Sequence, residues 1–153
     1  MRPATRLLLA FSILMLACVG LLARIHVRNL RESWPKEQAR RCSLLCASLL
    51  RHRQQLGSYP HTLHDLVHGG MLTEQQYEGL KFQADPWSEH LEWQYHTPGD
   101  EHEIVLYSGQ PAVASRGEDA LYFLGFANGA IIETPAKHLS WHLKRTATQW
   151  IRP

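Results

Sequence analysis

Residues 7–23 read LLLAFSILMLACVGLLA, a run without a single charge, and helical spacing of apolar residues then resumes and lasts to Gly57. Few folds accommodate such a run. If it lies in lipid it must be helical, because a helix satisfies every backbone N–H and C=O within its own segment. Its length falls just short of the roughly 20 residues that span a bilayer's hydrocarbon core. A cleaved signal peptide would share the basic MRPATR start, but its apolar core is shorter and LLARIH offers no small-x-small cleavage site. A lipoprotein signal would carry leucine three residues before Cys18, where Met15 stands, and the chain stays apolar beyond the cysteine. A retained single-pass anchor fits best, with the lipid bilayer as its first partner. Residues 1–6 then form a short tail, 7–23 the transmembrane helix and 24–56 an amphipathic stem.

In the stem, Leu44, Leu45, Leu49, Leu50 and Leu56, with Cys42, Cys46 and Ala47, form a stripe of period near 3.6. Arg40, Arg41, Arg51 and Arg53 take much of the remaining surface. Pro35 predicts a kink or break near Ser33, and Gly57 a helix stop. Two short pieces follow. Thr62 is the expected N-cap of a helix through Val67 that ends at Gly69-Gly70. Thr73 caps a second, with Gln76 in the capping-box position.

The period then changes. Glu92–His96 alternates, Thr97-Pro98-Gly99-Asp100 is turn-rich, and Glu103–Tyr107 reads as the returning strand. Ala120–Phe126 and Ala130–Glu133 flank Asn128-Gly129, the strongest hairpin signal in the chain. Thr134-Pro135 is expected to open a last, peripheral helix as N-cap and N1. The fold class is therefore α+β: a long N-terminal helix, transmembrane and then amphipathic, packed on a small antiparallel β-sheet, with a C-terminal helix. The head spans 57–134 and the last helix 135–153. A small sheet needs an apolar seat, and the stem's leucines are the only large candidate.

Charge is segregated. Arg24, Arg28, Arg31, Lys36, Arg40, Arg41, Arg51 and Arg53 of the stem face only Glu32 and Glu37. From Leu80 to Asp119 the acids dominate, with Lys81 and Arg116 alone against them. Such halves dock on further copies or are two solvated faces. Apart from Trp34 the basic stem has no aromatics, and it adjoins an apolar span, so lipid headgroups are a simpler contact than nucleic acid. Cys42 and Cys46, four apart on one helix face, read as small buried hydrophobes and not as a disulfide. Of the ten histidines, His61, His64 and His68 have a spacing that could present imidazoles to zinc, although Thr62 as N-cap would leave His61 outside the helix; solvated side chains are the plainer reading. His138 and His142 invite the same comparison. The chain contains no Gly-x-Ser-x-Gly, phosphate-binding glycine loop, His-Glu-x-x-His or Cys-x-x-Cys. Nothing in it points to an enzyme or a small-molecule substrate.

Several short motifs stand in a telling order: Gly57-Ser58-Tyr59-Pro60, Leu63-His64-Asp65-Leu66, Asp85-Pro86-Trp87, Gln94-Tyr95 with Pro98-Gly99, and Tyr107-Ser108-Gly109. Over about two-thirds of the chain this order resembles the type IV pilins and pseudopilins, in particular the major pseudopilin of type II secretion systems. The resemblance implies a lollipop plan in the bacterial inner membrane, with the head in the periplasm and pilin-like subunits or further copies as partners. On this plan Tyr-Pro is a joint between stalk and head, and Asp-Pro-Trp turns the chain into the sheet. Leu44, Leu45, Leu49, Tyr59, Pro60, Leu63, Leu66, Asp85, Pro86 and Trp87 would form the structural core, with Trp87 as its large anchor.

The sequence departs from the family at three places. The precursor signature Gly-Phe-Thr-Leu-x-Glu is absent and the apolar run holds no acidic residue, which argues against prepilin-peptidase processing and against assembly through a buried glutamate. Gly117-Glu118-Asp119-Ala120 resembles the distal end of the family's calcium loop, with Asp119 as the candidate ligand, but Gln110-Pro111 stands where an Asp-Gly turn is expected. Basic residues flanking the span, counted by the positive-inside rule, would place the head in the cytoplasm, opposite to the family plan.

Overall fold

The computed structural model describes residues 3–99, 103–112 and 120–146. One helix, α1 (Pro3–Leu56), runs for 54 residues, about 80 Å at the ordinary helical rise. Its N-terminal part is bare: Leu16 is 73% exposed, and Phe11, Ile13, Leu14, Val19, Leu21 and Leu22 are exposed as well. From Trp34 onward one face is covered by the head. Pro35 lies inside the helix without ending it, contrary to the expected break. A proline deletes one backbone hydrogen bond, and here the flanking Trp34, Gln38 and Arg41 are bonded to the head and hold the helix in place. Gly57 ends α1 in the left-handed region (φ +78°), its N–H donating to Arg53 O at 2.9 Å.

Two short helices, α2 (Asp65–His68) and α3 (Glu74–Leu80), carry the chain round the stem. Thr73 caps α3 in a full capping box with Gln76. Thr62 caps nothing: α2 begins after His64, whose side chain makes no cap bond. Instead the Asp65 carboxylate reaches back to accept the Thr62 N–H at 2.8 Å, so the acid of the first turn closes the corner in place of the threonine hydroxyl.

The sheet has four antiparallel strands in sequence order, β1 (Gln94–Tyr95), β2 (Ile104–Tyr107), β3 (Leu121–Phe126) and β4 (Ile131–Pro135). The Asn128-Gly129 hairpin joins β3 to β4, with Gly129 at φ +87°. The expected first strand contracts to Gln94–Tyr95. Thr134 and Pro135 close β4 in register with Tyr122 and Leu121, and α4 (Ala136–Thr146) starts only afterwards. Pairing with β3 outweighs the capping preference of a Thr-Pro step. α4 touches β3 and β4 but none of its described side chains is buried, and Trp141 is 56% exposed, so the last helix is peripheral as expected.

Stem and sheet meet through Cys42, Leu45, Cys46 and Leu49, all essentially buried, against Val105, Leu106 and Phe123. A Cβ on Gly125 of β3 would stand 2.5 Å from Cys46 Sγ and 3.1 Å from Cys42 Sγ. Glycine is therefore what lets the helix lie directly on the strand. Leu63, Leu66, Tyr77, Leu80, Phe82 and Trp93 extend the same core below α2 and α3. Two expected core members fall outside it. Leu44 is 42% exposed and Trp87 57% exposed. Leu44 and Ala47 sit off the face that Leu45 and Leu49 define, whereas Leu56 shares that face but is exposed at the last residue of the helix. Trp87 stands on a turn closed by hydrogen bonds around Asp85 and Ser88, and the anchoring tryptophan is Trp93, edge-on to Phe82 at 5.3 Å.

These contacts separate the leucines by energy. Leu49→Ala should cost about 2–5 kcal/mol of unfolding free energy, whereas Leu44→Ala should stay within about 0.5 kcal/mol, read from urea unfolding of the full chain in detergent micelles. Gly125→Ala, which adds one methyl against two sulfurs, should lose about 1–3 kcal/mol in the same assay.

Candidate functional site

Two features of this architecture can do work: the bare apolar helix, and the junction that fastens it to the head. The first is the one helix among the described residues that is long and apolar enough to cross a membrane, and none of its apolar window is buried. Membrane crossing satisfies such a surface, since lipid takes the place of a protein partner.

The junction has a lower and an upper latch. In the lower one Trp34 Nε1 donates to Gln83 O at 3.0 Å, and Gln38 Oε1 accepts the Gln83 N–H at 3.1 Å. Arg41 Nη1 donates to Lys81 O at 2.7 Å and to Gln83 Oε1 at 3.1 Å. The Arg41 guanidinium also lies over the Trp34 ring, 5.4 Å from its centroid, and reaches Glu37 at 3.1 Å. Stem side chains thus bond the backbone on both sides of Phe82, holding that loop against the helix. Expected among the solvated arginines, Arg41 is in fact buried: its charge is answered by Glu37 and two acceptors from the head, the condition under which burying a charge is tolerable.

The upper latch is the Gly-Ser-Tyr-Pro stop. His52, buried near the end of the stem, uses Nδ1–H to bond Ser58 O at 2.8 Å. Tyr59 donates its hydroxyl to Ala127 O at 2.9 Å and takes a bond from Arg53, whose guanidinium lies over its ring. The Pro60 carbonyl accepts from Tyr95 at 2.7 Å and from Thr97 at 3.3 Å. Burial pushes the Tyr95 phenol up to about 12, in keeping with a hydroxyl that must donate. A groove of about 360 Å³ opens beside this latch, with Arg53, Tyr59, His61 and Thr97 among its lining residues.

The residues predicted from sequence divide clearly. Leu45, Leu49, Pro60, Leu63 and Leu66 are buried, and Tyr59, Asp85 and Pro86 are half-buried. Of the histidines, His64 and His68 come within 3.1 Å of each other, while His61 lines both neighbouring grooves without joining the pair in a cluster. Among the described residues no group of three or more His, Cys, Asp or Glu side chains is arranged to hold a metal. Asp119, the calcium candidate, lies outside the described residues. Sequence reading missed the lower latch altogether. Its signal was present: Trp34, Gln38, Arg41, Cys42, Leu45, Cys46, Ser48, Leu49 and His52 follow one helical face, but its lower turns are polar and do not register as an apolar stripe.

The Glu37 carboxyl is held below its ordinary value of 4.5, chiefly by its hydrogen bond from Arg40, with Arg41 adding to this and burial opposing it. A carboxyl lowered by folding adds stability that is complete above 4.5 and is lost as the pH falls through its folded value. Glu37→Gln should therefore lower the urea midpoint at neutral pH by a small amount, worth about 0.2–1 kcal/mol for a partly exposed ion pair, and the two midpoint-against-pH profiles should converge as the pH falls below 4.5. A profile identical to the wild type would mean that the pair contributes nothing. Comparison of the chain with protein-family models, curated proteins and solved structures gives no significant match.

Proposed function

We propose that this chain is a membrane-anchored, non-enzymatic structural protein of pseudopilin type, acting through helix packing and protein contact in a type II secretion or type IV pilus-like apparatus. The observation that carries this reading is the direct seating of a small antiparallel sheet on the C-terminal half of a helix whose N-terminal half is bare and apolar. The ordered motifs of the sequence support it, and so does the use of Gly57–Pro60 as the stalk–head joint. On this reading the head lies in the periplasm and the bare helix in the inner membrane, where it meets lipid and pilin-like neighbours. A latched junction suits the role, because motion or load in the anchor reaches the head through Arg41 and Tyr59 and is not dissipated in a loose linker.

One observation favours a second reading, a membrane-tethered periplasmic module with the same architecture and no filament. The apolar run carries no carboxylate, so it lacks the charge through which pilin-type helices register against one another.

Protease added to spheroplasts that express the full chain should digest the head from outside. Protection until the membrane is permeabilised would place the head in the cytoplasm and end the proposal. Intact mass of membrane-extracted protein then divides the two readings: loss of an N-terminal leader supports assembly, and an uncut N-terminus supports the tether.

A further inference from the structure

His64 and His68 meet at the corner between α2 and α3. His64 Nδ1 lies 3.1 Å from His68 Nε2, and the ring centroids are 4.9 Å apart, edge to face. The other nitrogen of His64, Nε2, is 3.4 Å from both carboxylate oxygens of Glu74 in the first turn of α3. The His64 ring is also edge-on to Tyr77, at 5.5 Å, and the Tyr77 hydroxyl donates to Glu92 at 2.6 Å. Two residues of α3 thus hold one imidazole, and the helical spacing brings the second to it.

This arrangement decides where lone pairs point. Glu74 can only accept when ionised, so it favours the proton on His64 Nε2 and leaves the Nδ1 lone pair facing His68. Two nitrogens that each lie about 2.1 Å from one cation stand about 2.9–3.4 Å apart as the geometry goes from square-planar to tetrahedral. The observed 3.1 Å falls within that interval. A carboxylate on the outer nitrogen is the arrangement that orients metal-bound histidines.

We propose that His64 Nδ1 and His68 Nε2 form a two-nitrogen site for a borderline divalent transition-metal cation (Zn²⁺, Ni²⁺ or Cu²⁺), with Glu74 as its positioning residue. No third protein ligand joins them among the described residues, so water completes the coordination and the cation exchanges readily. An adjoining groove of about 380 Å³, with His61, His64, Tyr77 and Glu92 among its lining residues, gives that water access. Binding ties α2 to α3 through Glu74 and stabilises the corner on which the head turns. His61 takes no part. The other i, i+4 pair differs, because His142 sets its ring edge-on to Trp141 at 4.8 Å.

The test is titration of the full chain in detergent micelles with the chlorides of Ni²⁺, Zn²⁺ and Cu²⁺, followed by calorimetry and, for Cu²⁺, by electron paramagnetic resonance. The wild type should show one saturable site with two coordinated nitrogens. His68→Ala should weaken binding at least tenfold and reduce the nitrogen signature to one, and Glu74→Gln should weaken it by about 10–100-fold. His61→Ala and His138→Ala should bind as the wild type does. All four side chains are exposed, so the variants keep the fold, as unchanged circular dichroism will confirm. Absence of saturable binding, binding that survives a His64→Ala, His68→Ala double variant, or binding lost with His138→Ala would each overturn the proposal.

Discussion

The contact on which the molecule turns is the one between the Cys42 and Cys46 sulfurs and the backbone of β3 at Gly125. A sheet this small, with a first strand of two residues, has too little area to hold itself together in water. It needs a rigid apolar floor, and the stem provides one only if the helix can come close. Two small sulfur side chains on one partner and a missing side chain on the other make that approach possible. Each fully buried leucine around this point contributes about 1.5–3 kcal/mol, and Leu45, Leu49 and Leu106 are all of that kind. Stem and sheet are consequently one core, and neither would keep its shape alone.

Polar bonds add direction to that core. Burial sets which face of the helix the head covers, and the lower and upper latches fix that placement. Trp34, Gln38 and Arg41 grip the loop around Phe82, and Tyr59 and the Pro60 carbonyl engage Ala127 and Tyr95 at the other end. Fixed at two levels along the stem, the head follows the helix as a rigid extension. The mechanical content of the fold is that the β surface keeps a fixed orientation relative to the apolar helix. The His64–His68–Glu74 corner sits on the same path, between the upper latch and α3, where a bound cation would stiffen the turn and leave the core untouched.

Some elements were legible in the sequence because their causes are local. The stop at Gly57 follows from the freedom of glycine to take positive φ, the Thr73–Gln76 cap from two side chains within one turn, and the Asn128-Gly129 hairpin from the turn type those residues favour. The leucine stripe identified the seat of the sheet, though not its edges, since Leu44 and Leu45 look alike in sequence and differ by one step of rotation about the helix. Pro35 and Thr134-Pro135 misled because their local preferences were overruled by bonds to other segments, and Thr62 because the Asp65 carboxylate three residues on closes the corner in its place. Trp87 misled because size predicts burial only where the surrounding chain closes over the side chain, and here it closes over Trp93.

By itself, then, the sequence determined that the chain begins with a helix suited to lipid, continues as an amphipathic stem, and ends in a small antiparallel head, because helical and strand periodicities and turn chemistry are written in neighbouring residues. Tertiary structure alone decided which turns of the stem are covered, that Arg41 and Gln38 belong to the interior, that Gly125 receives the two cysteines, and that His64 faces His68 and Glu74 without His61. Those outcomes depend on distances between segments far apart in the chain, and such distances are set by packing the whole core at once.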